Sequence, residues 1–128
     1  MKILVINPGG TSTKIAVFED EKRLFKTNIT HTAEDLKPFH KVFDQFAYRK
    51  ELILRAVMEQ GVRLEALSAV AGRGGLMEPI PGGTYAVNDR MVEDMRNAVH
   101  GEHPSNLGCV LAKEIGDELG IPSFVVDP

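Results

Sequence analysis

The first eighteen residues constrain the fold of this chain more than any other stretch. Two apolar segments, Met1–Ile6 and Lys14–Phe18, flank the sequence Asn-Pro-Gly-Gly-Thr-Ser-Thr, a pattern typical of adjacent β-strands joined by a tight turn. The turn places several backbone N–H groups and three hydroxyls on a rigid support, which predicts a phosphate-binding site. It matches neither the Walker motif nor G-x-G-x-x-G, and it also suits a plain hairpin with an Asn-Pro turn.

The following segments predict a meander and then helices. Arg23–Thr30 is predicted to be a third strand, antiparallel to the second. Apolar residues at helical spacing predict one helix from an Asp35 N-cap to Phe46 and another over 47–60, which Gly61 ends. The charged run Tyr48–Glu51 is expected on the solvated face of that helix, and His31 has no obvious partner.

The rest of the chain alternates strands and helices. Ala66–Ala71 is a short apolar run that predicts a buried parallel strand. The remaining elements are a candidate short strand at Thr84–Val87, a helix at Asn88–Val99, a helix that Ser105 or Asn106 caps and Gly120 ends, and a strand at Phe124–Val126. We predict an α/β fold with a mixed five-stranded sheet, which begins with an antiparallel three-strand meander and is covered by helices. Cys109 falls on the apolar face of the last helix and is expected in the core.

The bulk properties exclude several classes of protein. The chain has 128 residues, enough for one domain, and a net charge of −3 without a basic block, which argues against a nucleic-acid partner. Its longest apolar run is far shorter than the roughly 20 residues of a membrane helix, and Asn7, Pro8 and two glycines interrupt the apolar run that a signal peptide would need. One cysteine excludes an intrachain disulfide. We therefore expect a soluble cytoplasmic protein, and the strand-like run just before Pro128 suggests a fragment of a longer chain.

Three further candidate groups lie where a predicted strand ends or a helix begins, the places where α/β sheets bind ligands. Arg73 lies between glycines that would let a ligand approach the backbone. Its guanidinium group can form two parallel hydrogen bonds to a carboxylate or a phosphate. It could also be a surface arginine in a loop. His103 precedes a helix N-terminus, which favours an anion, although it could instead pack or cap. Asp127 follows a strand and suits Mg²⁺, or it caps a helix or turn.

Four motifs together resemble one family. Ile6-Asn-Pro-Gly-Gly-Thr-Ser-Thr-Lys14 resembles the phosphate motif of the acetate and butyrate kinase family, which belongs with sugar kinases, Hsp70 chaperones and actin. The segments that resemble butyrate kinases in particular are Gly72–Leu76 with Pro79–Tyr85, Glu102–Gly108, and Ile121–Pro128. This resemblance covers the chain in order and implies a ribonuclease H-like (actin-like ATPase) lobe.

The resemblance implies an ATP-dependent kinase with Mg²⁺ as cofactor. The implied reaction is reversible in-line phosphoryl transfer from ATP to butyrate, giving butyryl phosphate and ADP. Acetate, propionate or a branched short-chain acid are alternative substrates. A non-catalytic module that binds a phosphate-bearing ligand, or that serves in assembly, is the alternative from a different class.

The resemblance also implies roles for individual residues. Arg73 would contact the carboxylate and the phosphoryl group, His103 the phosphoryl group, and Asp127 and Asn7 the magnesium. The residues implied to bind the nucleotide phosphates are Asn7, Gly9, Gly10, Thr11, Ser12, Thr13 and Lys14. Two positions depart from the family pattern, because Gly10 stands where serine is usual and Pro104 where alanine is expected.

Finally, the resemblance implies a division into lobes. Residues 1–128 would form the N-terminal lobe of an acyl kinase, and the C-terminal nucleotide-binding lobe would be absent from this chain. The expected partners are therefore ATP, a short-chain carboxylate and that second lobe. The chain alone is expected to be inactive, and the full-length protein is expected to form a homo-oligomer.

Overall fold

The computed structural model describes residues 1–73, 84–86 and 106–126. Within these residues, six strands form one sheet in the order β3-β2-β1-β4-β6-β5. The strands are β1 (Lys2–Pro8), β2 (Ser12–Glu19), β3 (Lys22–Thr30), β4 (Leu67–Arg73), β5 (Thr84–Ala86) and β6 (Ser123–Val126). The helices are α1 (Ala33–Leu36), α2 (Phe46–Glu59) and α3 (Asn106–Leu119), and short 3-10 turns span Val42–Gln45 and Leu64–Ala66.

The sheet is mixed, as predicted. Strands β1, β2 and β3 pair antiparallel and form the expected meander. Strand β4 lies parallel to β1 on its other side, and β6 lies parallel to β4. The candidate strand β5 pairs antiparallel with β6 and extends the predicted five-stranded sheet by a sixth strand at its edge.

The first predicted helix is shorter than expected. Helix α1 is a single turn, and its N-cap is Thr32 rather than Asp35. The Thr32 hydroxyl accepts a hydrogen bond from the backbone N–H of Asp35, and the Asp35 carboxylate accepts one from the N–H of Thr32. Because Pro38 has no N–H to donate, the helix does not continue to Phe46, and a separate 3-10 turn precedes α2.

The later helices agree better with the sequence. Helices α2 and α3 are each followed by a glycine with positive φ, Gly61 at 81° and Gly120 at 69°, as the stop signals predicted. The helix predicted at Asn88–Val99 lies outside the described residues. No helix in the part of the chain that the structure describes is long and apolar enough to cross a bilayer.

The core lies between one face of the sheet and the helices α2 and α3. Its fully buried side chains are Leu4, Ile6, Ile15 and Val17 from the meander, Val70 from β4, Ile53 and Val57 from α2, and Leu107, Leu111 and Ile115 from α3. Burial of each such side chain is worth about 1.5–3 kcal/mol. Cys109 is buried as predicted, and its burial raises the pKa of the thiol to about 12.

Two glycines let α3 approach the end of β4. A Cβ atom on Gly72 would lie 2.0 Å from the carbonyl oxygen of Gly108, and a Cβ atom on Gly108 would lie 2.2 Å from the carbonyl oxygen of Arg73. The interpretation of Gly72 as a place for a ligand to approach is therefore wrong, because the helix occupies that space. The contact brings the first turn of α3 to the residue where β4 ends.

We expect Gly72→Ala to destabilise the fold by at least about 2 kcal/mol, because the added methyl group meets backbone atoms that must move. Urea unfolding followed by circular dichroism would measure the change. Gly10→Ala is the matched control, since a Cβ atom at Gly10 would have nothing within 4 Å. Equal stability of the two variants would contradict the close helix–strand contact.

Candidate functional site

The parallel strands bring two predicted site residues to one edge of the sheet. In the register of the ladder, Ile6 of β1 pairs with Gly72 of β4, so Asn7 and Arg73 are the next residues along neighbouring strands. Asn7 is half-buried and Arg73 is exposed. The first turn of α3 packs against the same end of β4, through Gly108. This edge is the carboxyl end of the strands, where α/β sheets bind ligands.

Two other predicted catalytic residues lie outside the described residues. His103 precedes α3 by three positions along the chain. Asp127 directly follows Val126, the residue of β6 that pairs with Arg73. Their placement at this site therefore remains a prediction.

The β1–β2 turn has free donors. The Gly9 N–H donates to the Ser12 carbonyl at 2.7 Å, and the His31 N–H donates to the Thr11 carbonyl at 2.8 Å. The N–H groups of Gly10 and Thr11 make no hydrogen bond to any residue that the structure describes. Both residues are exposed. The turn thus offers two adjacent unpaired N–H groups at the surface, which suits an anion.

The side chains of the turn differ in direction. Lys14 is exposed and pairs across the ladder with Asn7, so the two side chains lie on the same face of the sheet. Thr13 is fully buried, and its hydroxyl lies 2.8 Å from Nε2 of His31. Thr13 therefore supports the turn from inside, and its hydroxyl is not presented to a ligand.

Arg49 lies directly beneath the turn, and its burial shows that the predicted solvated face at Tyr48–Glu51 was wrong at this position. Its side chain is 0% exposed. The guanidinium Nη1 donates to the carbonyl of Gly9 at 2.8 Å, to the carbonyl of Ser12 at 3.1 Å and to the hydroxyl of Thr13 at 3.2 Å. Nη2 donates to the carbonyl of Gly10 at 3.3 Å.

Gln45 holds the other side of the same guanidinium. Its Oε1 atom accepts from Nη2 of Arg49 at 2.7 Å and from Nε at 3.0 Å. A signal for the burial of Arg49 was present in the sequence. Arg49, Ile53 and Val57 recur every four residues, so that all three lie on the face of α2 that contacts the core.

His31 is the second residue that sequence reasoning missed. It is 1% exposed, with Nε2 bonded to Thr13 and Nδ1 bonded to the Tyr48 hydroxyl at 3.1 Å. Burial lowers the pKa of His31, and the charge of Arg49 lowers it further, while Asp35 opposes this effect. The neutral ring satisfies both bonds, because one nitrogen donates and the other accepts. No local sequence pattern indicates these hydrogen-bond partners of His31.

Comparison with known proteins gives a consistent result. No protein-family model matches the chain. It is 54% identical over 127 residues to a probable butyrate kinase of Clostridium botulinum (strain Eklund 17B / Type B), and 48% identical to butyrate kinase 1 of Clostridium acetobutylicum. Each alignment covers 99% of this chain and 36% of the relative. The chain thus spans about a third of the length of these relatives.

A solved structure shares the fold. The chain is similar to the acetate kinase of Entamoeba histolytica, with a TM-score of 0.63 and 11% identity, over 98% of this chain and 36% of that one. The predicted resemblance to butyrate kinases is confirmed by the sequence identity, and the predicted fold, a mixed sheet that begins with an antiparallel meander and is covered by helices, is confirmed by the structure and its likeness to acetate kinase. At 11% identity the structural likeness concerns the fold alone.

The His31 environment predicts acid sensitivity. Because the pKa of His31 in the folded state is lower than its ordinary value of 6.5, the unfolded chain binds more protons. The stabilising effect is complete above pH 6.5 and is lost as the pH falls through the lower folded-state pKa. We expect the urea midpoint to fall as the pH is lowered from about 6.5, before the carboxylates take up protons.

The same titration with His31→Gln, which cannot take up this proton, should give a flatter profile over that interval. His40→Gln, which removes an exposed histidine, is the control variant. A parent profile as flat as that of His31→Gln would contradict the assignment.

Proposed function

We propose that this chain is one lobe of an ATP-dependent kinase that phosphorylates a short-chain carboxylate, with butyrate as the preferred acceptor. The observation that carries the proposal is the 48–54% identity to proteins named butyrate kinases along 99% of the chain. The site geometry agrees with the proposal. The turn with the free N–H groups follows β1, and Arg73 lies at the end of the neighbouring parallel strand β4.

The chemistry requires positioning more than acid–base catalysis. A carboxylate is already anionic at neutral pH, so that its oxygen can attack the γ-phosphorus of ATP without a base. A new C–O–P link forms while the bond from the γ-phosphorus to the ADP oxygen breaks. The difficulty is to bring two anions together and to stabilise the charge on the transferring group.

The residues of this chain would share that task. The N–H groups of Gly10 and Thr11 would hold phosphate oxygens, and Lys14 would add a positive charge on the face that Asn7 shares. Arg73 would bind the carboxylate and the transferring phosphoryl group through its fork. His103 would contact the same phosphoryl group. Thr13 is reassigned as a positioning residue, since its hydroxyl is bonded inward.

Magnesium is compatible with the groups at this edge. No cluster of three or more His, Cys, Asp or Glu side chains that could hold a metal occurs within residues 1–73, 84–86 and 106–126. Magnesium that is bound to a nucleotide needs only one or two protein ligands, and Asn7 and Asp127 would serve. When bound, the ion would neutralise charge on the phosphates.

The proposal includes a second lobe. Residues 1–128 would be the N-terminal lobe, and a C-terminal lobe would carry the groups that bind adenosine. The preference for butyrate over acetate or propionate is part of the proposal, because one methylene is worth only about 1–3 kcal/mol of discrimination. Cytoplasmic location and homo-oligomer formation belong to the proposed complete protein.

In the complete two-lobed kinase, Arg73→Ala should lower kcat for butyryl phosphate formation by about 100-fold or more, because a charge-stabilising donor is lost. Arg73→Lys should recover little, because lysine lacks the fork. A coupled assay of ADP release would measure both. Arg63→Ala, which removes an arginine with an 83% exposed side chain, is the control. Turnover of Arg73→Ala within twofold of the parent would refute the role.

The 128-residue chain alone should form no butyryl phosphate from ATP and butyrate, because half of the nucleotide site would be missing. Trapping of acyl phosphate as its hydroxamate gives the measurement, with the chain mixed with a separately produced C-terminal lobe as the comparison. Turnover by the chain alone would refute the two-lobed proposal. Phosphate binding without activity in the mixture would favour a non-catalytic module.

A further inference from the structure

The charge of Arg49 has no carboxylate to balance it in the described part of the chain. Every described acceptor of the guanidinium is uncharged, namely three backbone carbonyls, the Thr13 hydroxyl and the Gln45 amide oxygen. Each ion pair of the described residues involves other cations, at the surface. Burial of a charge is strongly unfavourable unless it is paired, so an unbalanced buried arginine calls for an explanation.

We infer that Arg49 is a positioning residue for an anion bound at the turn. Arg49 directs the two free N–H groups of the turn outward, and its positive charge attracts the anion from beneath the turn. This inference rests on the proposed function of the turn as a phosphate site. Arg49 acts through the turn, since its own nitrogens are occupied by the turn and by Gln45.

The orientation of the N–H groups follows from the planarity of the peptide bond. In a trans peptide, the carbonyl of one residue and the N–H of the next point in opposite directions. Arg49 binds the carbonyl of Gly9, so the N–H of Gly10 points away from Arg49. It also binds the carbonyl of Gly10, so the N–H of Thr11 points away as well. Neither N–H group has a hydrogen-bond partner among the described residues.

The charge is placed where an anion would benefit from it. The guanidinium is excluded from water, and only the turn separates it from the surface on which Gly10 and Thr11 are exposed. Coulomb attraction is screened less across protein than across solvent. A phosphate on the turn would therefore balance the charge of Arg49. Apolar packing alone could stabilise a hairpin without the unfavourable desolvation free energy of a buried charge.

The decisive variant is Gln45→Glu. A carboxylate has nearly the shape of the amide and can accept the same two hydrogen bonds from Arg49, but it cancels the positive charge. Gln60→Glu is the matched control, because it adds the same charge at an exposed position beyond the opposite end of α2. Tripolyphosphate is the probe, titrated into the ¹⁵N-labelled 128-residue chain at about 0.15 M salt, where surface charges are largely screened.

We expect the amide resonances of Gly10 and Thr11 to shift in the parent and in Gln60→Glu with the same Kd. In Gln45→Glu the Kd should rise about tenfold, an amount expected for the loss of one nearby charge, while Tm stays at or above the parent value. A Gln45→Glu variant that binds as tightly as the parent would overturn the inference and leave the phosphate turn intact. If the Gly10 and Thr11 resonances of the parent do not shift, both the role of Arg49 and the proposed phosphate site at the turn are wrong.

If Gln45→Glu does not give the spectrum of a folded protein, Arg49→Lys tests the positioning role of Arg49. Lysine keeps the charge but lacks the fork that holds the carbonyls of Gly9 and Gly10 together, so the Kd should again rise about tenfold. Arg55→Lys is its control, since Arg55 lies on the same helix and pairs only with exposed Glu51 among the described residues. Binding by Arg49→Lys that equals the control would overturn the positioning role.

Discussion

The structure of the site depends on one buried cation. Arg49 reaches from α2 to the carbonyls of Gly9, Gly10 and Ser12, and so links the first helix of the core to the β1–β2 turn. A turn rich in glycine would otherwise sample many backbone conformations. Because the guanidinium is planar and holds several acceptors at once, it selects one of them, in which two N–H groups face solvent.

The second constraint is the parallel arrangement of β1, β4 and β6. Their carboxyl ends meet at one edge, so residues distant in the sequence, such as Asn7 and Arg73, lie on neighbouring strands. The glycine contact between β4 and α3 adds the first turn of that helix to the same edge. The scaffold thus explains how a chain with few charged residues near its turn could still assemble an anion site.

The 48–54% identity relates the chain to butyrate kinases, and the likeness to acetate kinase concerns the fold. Neither comparison indicates which atoms hold an anion. The hydrogen bonds of the turn leave the N–H groups of Gly10 and Thr11 without a partner among the described residues and direct Thr13 inward, and these bonds are the basis of the proposed anion site.

The sequence by itself determined the meander, the buried parallel strand, the helix stops and the motif at the turn, because these depend on local patterns of apolar residues and glycines. It misplaced the end of α1 and the environment of Arg49, and it showed no partner for His31. Only the tertiary structure decided the last two points, since Arg49 lies about forty residues from its acceptors in the β1–β2 turn and Thr13 eighteen from His31. A polar side chain can be buried when groups distant in the sequence satisfy its hydrogen bonds. The local pattern of apolar residues gives little indication of which groups these are.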